Sequence, residues 1–126
     1  MRLIVICVRD DGISVAGHSG YAPPGADIVC AAVSVLTETL IRALAEEGGA
    51  AEIRLGDGRA NVTFGKLSER AKGYAAFFAR GAAGVAEAYP RYVRLCDLRK
   101  GGDANDGHAL ETARDAAAVV CAAERR

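Results

Sequence analysis

The chain has 126 residues, 51% of them hydrophobic and 6% aromatic, and its sixteen basic side chains are balanced by sixteen acidic ones. That length fits a single domain able to bury an ordinary core without metal or disulfide staples. Neutral overall charge excludes a general nucleic-acid or anionic-membrane binder, which needs a basic surplus on one face, and leaves room only for a local patch.

Residues 3–9 form a nearly unbroken apolar run, expected to be a strand covered on both faces. The run is too short for a signal peptide and ends in charges, and no apolar stretch is expected to reach transmembrane length. Asp10-Asp11-Gly12 marks a turn, and residues 13–17 alternate like a second strand. A Gly/Pro loop follows, and Asp27 is placed to cap a helix. Val29, Val33, Leu36, Leu40 and Leu44 then recur at helical spacing until Gly48-Gly49 ends the pattern. Residues 52–55 and 60–64 read as a second hairpin around Gly56-Asp57-Gly58, with Ile53, Leu55, Val62 and Phe64 expected to face the core.

Ser68 caps a second predicted helix, whose apolar stripe is Tyr74, Phe77, Phe78, Ala82, Val85 and Tyr89. Gly73, Gly81 and Gly84 each weaken such a helix by roughly 1 kcal/mol relative to alanine, a cost tolerable where a neighbour packs closely. Pro90 ends the helix, and residues 92–98 read as a last strand. Residues 100–107 have linker composition, and 108–126 form an alanine-rich helical pattern with Leu110, Ala113, Ala117, Val120 and Cys121 along one side. The order predicts an α+β fold: a mostly antiparallel sheet of about five strands (β-β-α-β-β-α-β) with two helices on one face, plus an extra C-terminal helix. Residues 1–99 are expected to be the working domain, and 100–126 a linker and additional helix.

Cys7, Cys30, Cys96 and Cys121 are scattered, with no C-x-x-C pair. Without a secretory signal, reduced thiols in a cytoplasmic protein are the expectation. Cys30 differs from the others by position. With Asp27 as N-cap it is the third helical residue, close to the unpaired amides and the positive end of the helix dipole. It begins a more polar line, Cys30-Ser34-Thr37, beside the apolar stripe. Twelve positions earlier, His18 ends the second strand, and the intervening glycines and prolines allow the chain to return. An imidazole and a helix N-terminus are the conditions that make a thiol nucleophilic. The pattern alone leaves Cys30 open between nucleophile and core cysteine, His18 between base and surface residue, and Asp27 between cap and orienting carboxylate.

Rival chemistries are weaker. Gly17-His18-Ser19-Gly20-Tyr21 approaches a G-x-S-x-G elbow, but Tyr21 occupies the last glycine position. Zinc ligation by His18, Cys30 and distant cysteines lacks paired spacing, and no G-K-[ST] follows the glycines to make a phosphate loop. Papain- and caspase-type signatures are missing.

Gly17-His18-Ser19-Gly20-Tyr21, followed by Gly25-Ala26-Asp27-Ile28-Val29-Cys30-Ala31-Ala32-Val33-Ser34, strongly resembles the ribosomal-processing cysteine protease family, Prp. The resemblance extends in element order to about Leu98. It implies a small homodimeric cysteine protease with a Cys-His dyad, no cofactor and no metal. It also implies no direct nucleic-acid or membrane partner. Its implied substrate is the bacterial large-subunit ribosomal protein twenty-seven, from which a short N-terminal extension is removed. Residue by residue, Cys30 is the implied nucleophile and His18 its base. Asp27 is the implied orienting or capping carboxylate, and Ser34 a supporting residue one turn beyond. The loop 19–26 corresponds to a segment that moves to admit the peptide, so Ser19, Gly20, Tyr21 and Gly25 are expected to meet substrate. Ser19 stands where alanine is frequent, and Pro23-Pro24 makes the loop stiffer than glycine-rich versions. The alternative is a non-catalytic ribosome-assembly protein that binds the same ribosomal protein.

Overall fold

The computed structural model describes residues 2–100, so the proposed linker and C-terminal helix lie outside the described residues. The elements are β1 (Ile4–Arg9), β2 (Gly12–Ala16), α1 (Ile28–Glu47), β3 (Ala50–Gly56), β4 (Arg59–Phe64), α2 (Glu69–Ala88) and β5 (Val93–Asp97). The five strands form one sheet in the order β3-β4-β2-β1-β5, antiparallel except where β5 runs parallel to β1. That parallel pair follows from the connection, because α2 carries the chain across the sheet between β4 and β5.

Alternation along β1 divides the sheet into two faces. Ile4, Ile6 and Val8 join Ile13, Val62 and Val93 in a core shared with Val29, Val33, Leu40 and Leu44 of α1 and with Ala71, Phe78, Ala79 and Ala82 of α2. Both helices therefore cover one face, as expected. Val5, Cys7 and Cys96 make a smaller cluster, with Cys7 and Cys96 in register on neighbouring strands of the other face. Alanine contributes much of the α2 contact surface, which lets α1 and α2 approach closely. A Cβ at Gly81 would lie 2.6 Å from Leu36 Cδ2, so this glycine has the packing reason the sequence required.

Three expectations need correction. Ile53 and Leu55 do not enter the core; Leu55 is 68% exposed, because β3 is the edge strand and the helices lie mainly over its neighbours. Phe77 is 75% exposed while Phe78 is buried, since adjacent helical residues point about 100° apart and cannot share one narrow stripe. Finally, α1 is long and apolar enough (mean hydropathy 1.8) to cross a bilayer by length and composition. Here its Val29, Val33, Thr37, Leu40 and Leu44 face the protein interior.

Candidate active site

At the end of β2, Gly17 adopts φ 103°, and a side chain there would collide with the Leu3 carbonyl. Only glycine meets both conditions, so the chain turns sharply and releases His18 from the sheet. The Gly17 N–H also donates to the Gly58 carbonyl at 2.8 Å, which ties this corner to the β3–β4 turn. Consequently the exposed His18 ring rests on Gly58. A Cβ at Gly58, whose φ is 63°, would sit 2.6 Å from His18 Nε2.

The other half of the site is the start of α1. Asp27 caps the helix from an extended conformation: its Oδ1 accepts the N–H groups of Val29 (3.0 Å) and Cys30 (2.9 Å). Its Oδ2 accepts the Ser19 hydroxyl at 2.5 Å and the Ala22 N–H at 3.4 Å. Partial desolvation raises the Asp27 pKa, but these donors stabilise the carboxylate more strongly and hold it at about 2. No hydrogen bond joins Asp27 to His18 among the described residues, so the carboxylate caps the helix and anchors the loop rather than orienting the imidazole. Cys30 is half-buried, and its Sγ accepts the Ser19 N–H at 3.5 Å and lies 3.6 Å from Ser19 Oγ.

The loop between these halves is tied at several points. Pro23-Pro24-Gly25-Ala26 forms a tight turn closed by Ala26 N–H to the Pro23 carbonyl, with Gly25 at φ 88°. Proline at the second position and a left-handed glycine at the third make it a type II turn. Tyr21 packs edge-on against Tyr89 and Tyr92, with ring centroids 5.7 and 5.2 Å away. Two of the residues expected to meet substrate, Ser19 and Tyr21, have side chains that line neither cavity in this arrangement. Ser19 is 1% exposed with its hydroxyl held by Asp27, and Tyr21 faces the end of α2 rather than a cleft. Their place in the loop 19–26 of the resembling family put both residues forward; here their side chains are held by Asp27 and by the tyrosines at the end of α2.

Two cavities, of about 890 and 550 Å³, share Gly17, His18, Cys30 and Ser34. The larger arm passes Arg2, Gly20, Gly25, Asp27 and Asp57. The smaller follows α1 past Val33 and Ile41 to Glu38 and Arg42, with Leu55 and Arg59 opposite. Each volume lies in the range that accommodates small ligands. The imidazole and thiol thus stand where two arms of one groove meet. Their arrangement can bring an extended chain past a thiol and an imidazole that line the same two cavities. No group of three or more His, Cys, Asp or Glu side chains gathers to hold a metal among the described residues.

Gly58, Asp57 and Leu55 are site residues that the sequence presented only as hairpin residues. The place of Gly58 beside His18, and of Asp57 and Leu55 along the groove, comes from the β2–β4 register, which pairs Ala16 with Arg59. No local spacing signals that contact.

Residues 7–94 match the protein family described as cysteine protease Prp. Solved structures resemble the fold. The essential ribosomal processing protease Prp from S. aureus, with a covalently linked product peptide, superposes with a TM-score of 0.67 at 21% identity, covering 79% of this chain and 100% of that one. The same protease with a substrate peptide gives 0.62 at 20% identity, covering 77% and 99%. SMU.848 from Streptococcus mutans gives 0.61 at 24% identity, covering 79% and 96%. No curated protein sequence gives a significant match.

Proposed function

This chain belongs to the cysteine protease Prp family, and on that premise we propose that it processes a ribosomal protein through Cys30 and His18. The observation that carries the proposal is that both side chains line both arms of the groove. His18 takes the thiol proton as Sγ attacks the scissile carbonyl, forming a C–S bond and moving the carbonyl π pair onto oxygen. Collapse expels the amine, which receives the proton from His18, and leaves a thioester. Water activated by the neutral imidazole then hydrolyses the thioester and regenerates the thiol. Ser34, exposed one turn after Cys30, borders both arms beside Cys30 and His18.

The substrate we propose is the large-subunit ribosomal protein twenty-seven, cleaved at the end of an N-terminal extension in the cytoplasm by a homodimeric enzyme. Two features favour peptide recognition: an apolar arm bordered by Val33, Ile41 and Leu55, and the bound product and substrate peptides of the structurally similar S. aureus protease. Cys30→Ala should abolish cleavage of a peptide spanning the extension junction while preserving the melting transition. Parental turnover by that variant would refute the assignment. Tight peptide binding by the parent with no cleavage would favour the non-catalytic alternative instead.

A further inference from the structure

Resting on the Cys30 reading above, we infer that the Ser19 backbone N–H is an oxyanion donor and that the Ser19 hydroxyl, held by Asp27, positions it. The start of α1 is the obvious place to seek such a donor, but the amides of Cys30 and its two chain neighbours have other partners. Val29 and Cys30 donate to Asp27 Oδ1, and Ala31 donates to the Asp27 carbonyl at 3.1 Å. The Cys30 amide, which would otherwise be the nearest candidate, is therefore committed to the cap. The next donor to consider comes from the loop that faces Cys30.

The Ser19 N–H supplies it. It points at Cys30 Sγ from 3.5 Å before reaction. Once Sγ bonds to the acyl carbon, the oxyanion is one bond beyond that carbon and enters the reach of the same N–H. This donor then shifts from sulfur to oxygen as negative charge moves, which is the differential stabilisation that lowers a barrier.

The Ser19 side chain explains why the amide stays aimed. Its hydroxyl donates to Asp27 Oδ2 at 2.5 Å and accepts the Tyr21 N–H at 3.1 Å, at a residue 1% exposed. One carboxylate thus fixes the nucleophile's helix through Oδ1 and the facing amide through Oδ2. Alanine, frequent at this position in the resembling family, keeps the N–H but lacks both side-chain bonds. In this chain, whose loop is anchored through them, the amide would lose that anchor. Ser19 is thus a positioning residue through its side chain, and its contact with the reacting atoms is made by its main chain.

The test compares Ser19→Ala and Ser19→Thr with the parent on the junction peptide. Ser19→Ala should lose on the order of 10- to 100-fold in kcat with KM within about twofold, the scale of a displaced or missing oxyanion donor. A peptide aldehyde, which forms a tetrahedral adduct on sulfur, should lose affinity by the same factor. In a Cys30→Ala background, the Kd of the uncleaved peptide should not change on adding Ser19→Ala. Ser19→Thr, which retains the hydroxyl, should recover most of the lost kcat. If Ser19→Ala fails to fold, semisynthesis joining residues 1–29 to a chain beginning at Cys30 can replace the Ser19 N–H with an ester oxygen. That change should cost on the order of 100- to 1,000-fold in kcat. Parental kcat and aldehyde affinity in Ser19→Ala, or in the ester protein, would overturn the inference. So would a loss confined to peptide binding. Cleavage by Cys30→Ala would instead overturn the nucleophile assignment itself.

Discussion

Gly58→Ala separates a backbone effect from a catalytic one. At φ 63° an alanine in the left-handed region costs roughly 1–2 kcal/mol, so the variant should melt several degrees below the parent. The new Cβ would also stand 2.6 Å from His18 Nε2 and 2.9 Å from Cε1. Ordinary contacts between heavy atoms are about 3.5–4.0 Å, so the imidazole must retreat by roughly 1 Å. His18 is exposed, so this retreat adds little to the stability cost, but it moves the proposed base. Misplacement on that scale costs on the order of 100-fold in rate. Gly58→Asn resolves the two effects: asparagine tolerates a positive φ, so most stability should return, while its Cβ still displaces His18 and activity stays low. Gly56→Ala is the control, because a Cβ there meets nothing within 4 Å and its φ is not left-handed. Thermal melts paired with kcat/KM on the junction peptide provide the assay. Parental kcat/KM in Gly58→Asn would refute the argument that His18 works from its seat on Gly58.

Other expectations concern the core and the cap. Phe78→Ala should destabilise by about 3–5 kcal/mol and Phe77→Ala by less than about 0.5 kcal/mol, since Phe78 is 2% and Phe77 75% exposed. Denaturant titrations of the two variants check the assignment of the buried face, and equal losses would contradict it. Asp27 has a folded pKa of about 2 against 3.8 ordinarily, so its contribution to stability is present above about pH 4 and is lost as pH falls towards 2. Comparing urea midpoints of the parent and Asp27→Asn should therefore show their difference shrinking across that window. A difference independent of pH would rule out the ionised cap as its source. Asp97, held below its ordinary value mainly by its hydrogen bonds with Arg99, adds acid sensitivity of the same sign.

Element order and both helix caps could be read from the chain because their causes are local. Asp27 and Ser68 lie directly before apolar helical patterns, and Gly48 reaches φ 73° immediately after one. That His18 and Cys30 border the same cavities was legible for a similar reason: a short Gly/Pro loop joins a strand end to a helix start. The Ile53, Leu55 and Phe77 errors share a different cause. Period-two and period-3.6 patterns identify a face, but they do not say whether another element covers it. Here β3 is an edge, and Phe77 lies outside the stripe buried between α2 and the sheet.

The division is sharpest at Asp27. Its identity and its place before an apolar helix determine that it caps α1, because the acceptor and the amides it serves are two and three residues apart. Its second oxygen is another matter. Ser19 lies eight residues away across the loop, and Gly58 reaches His18 only because β4 pairs with β2. Local hydrogen bonds can be inferred from spacing, since a few backbone angles set them. The aim of an amide at a thiol, and of an imidazole over a glycine, depends on loop closure and strand register, and those were decided when the sheet and the two helices packed together.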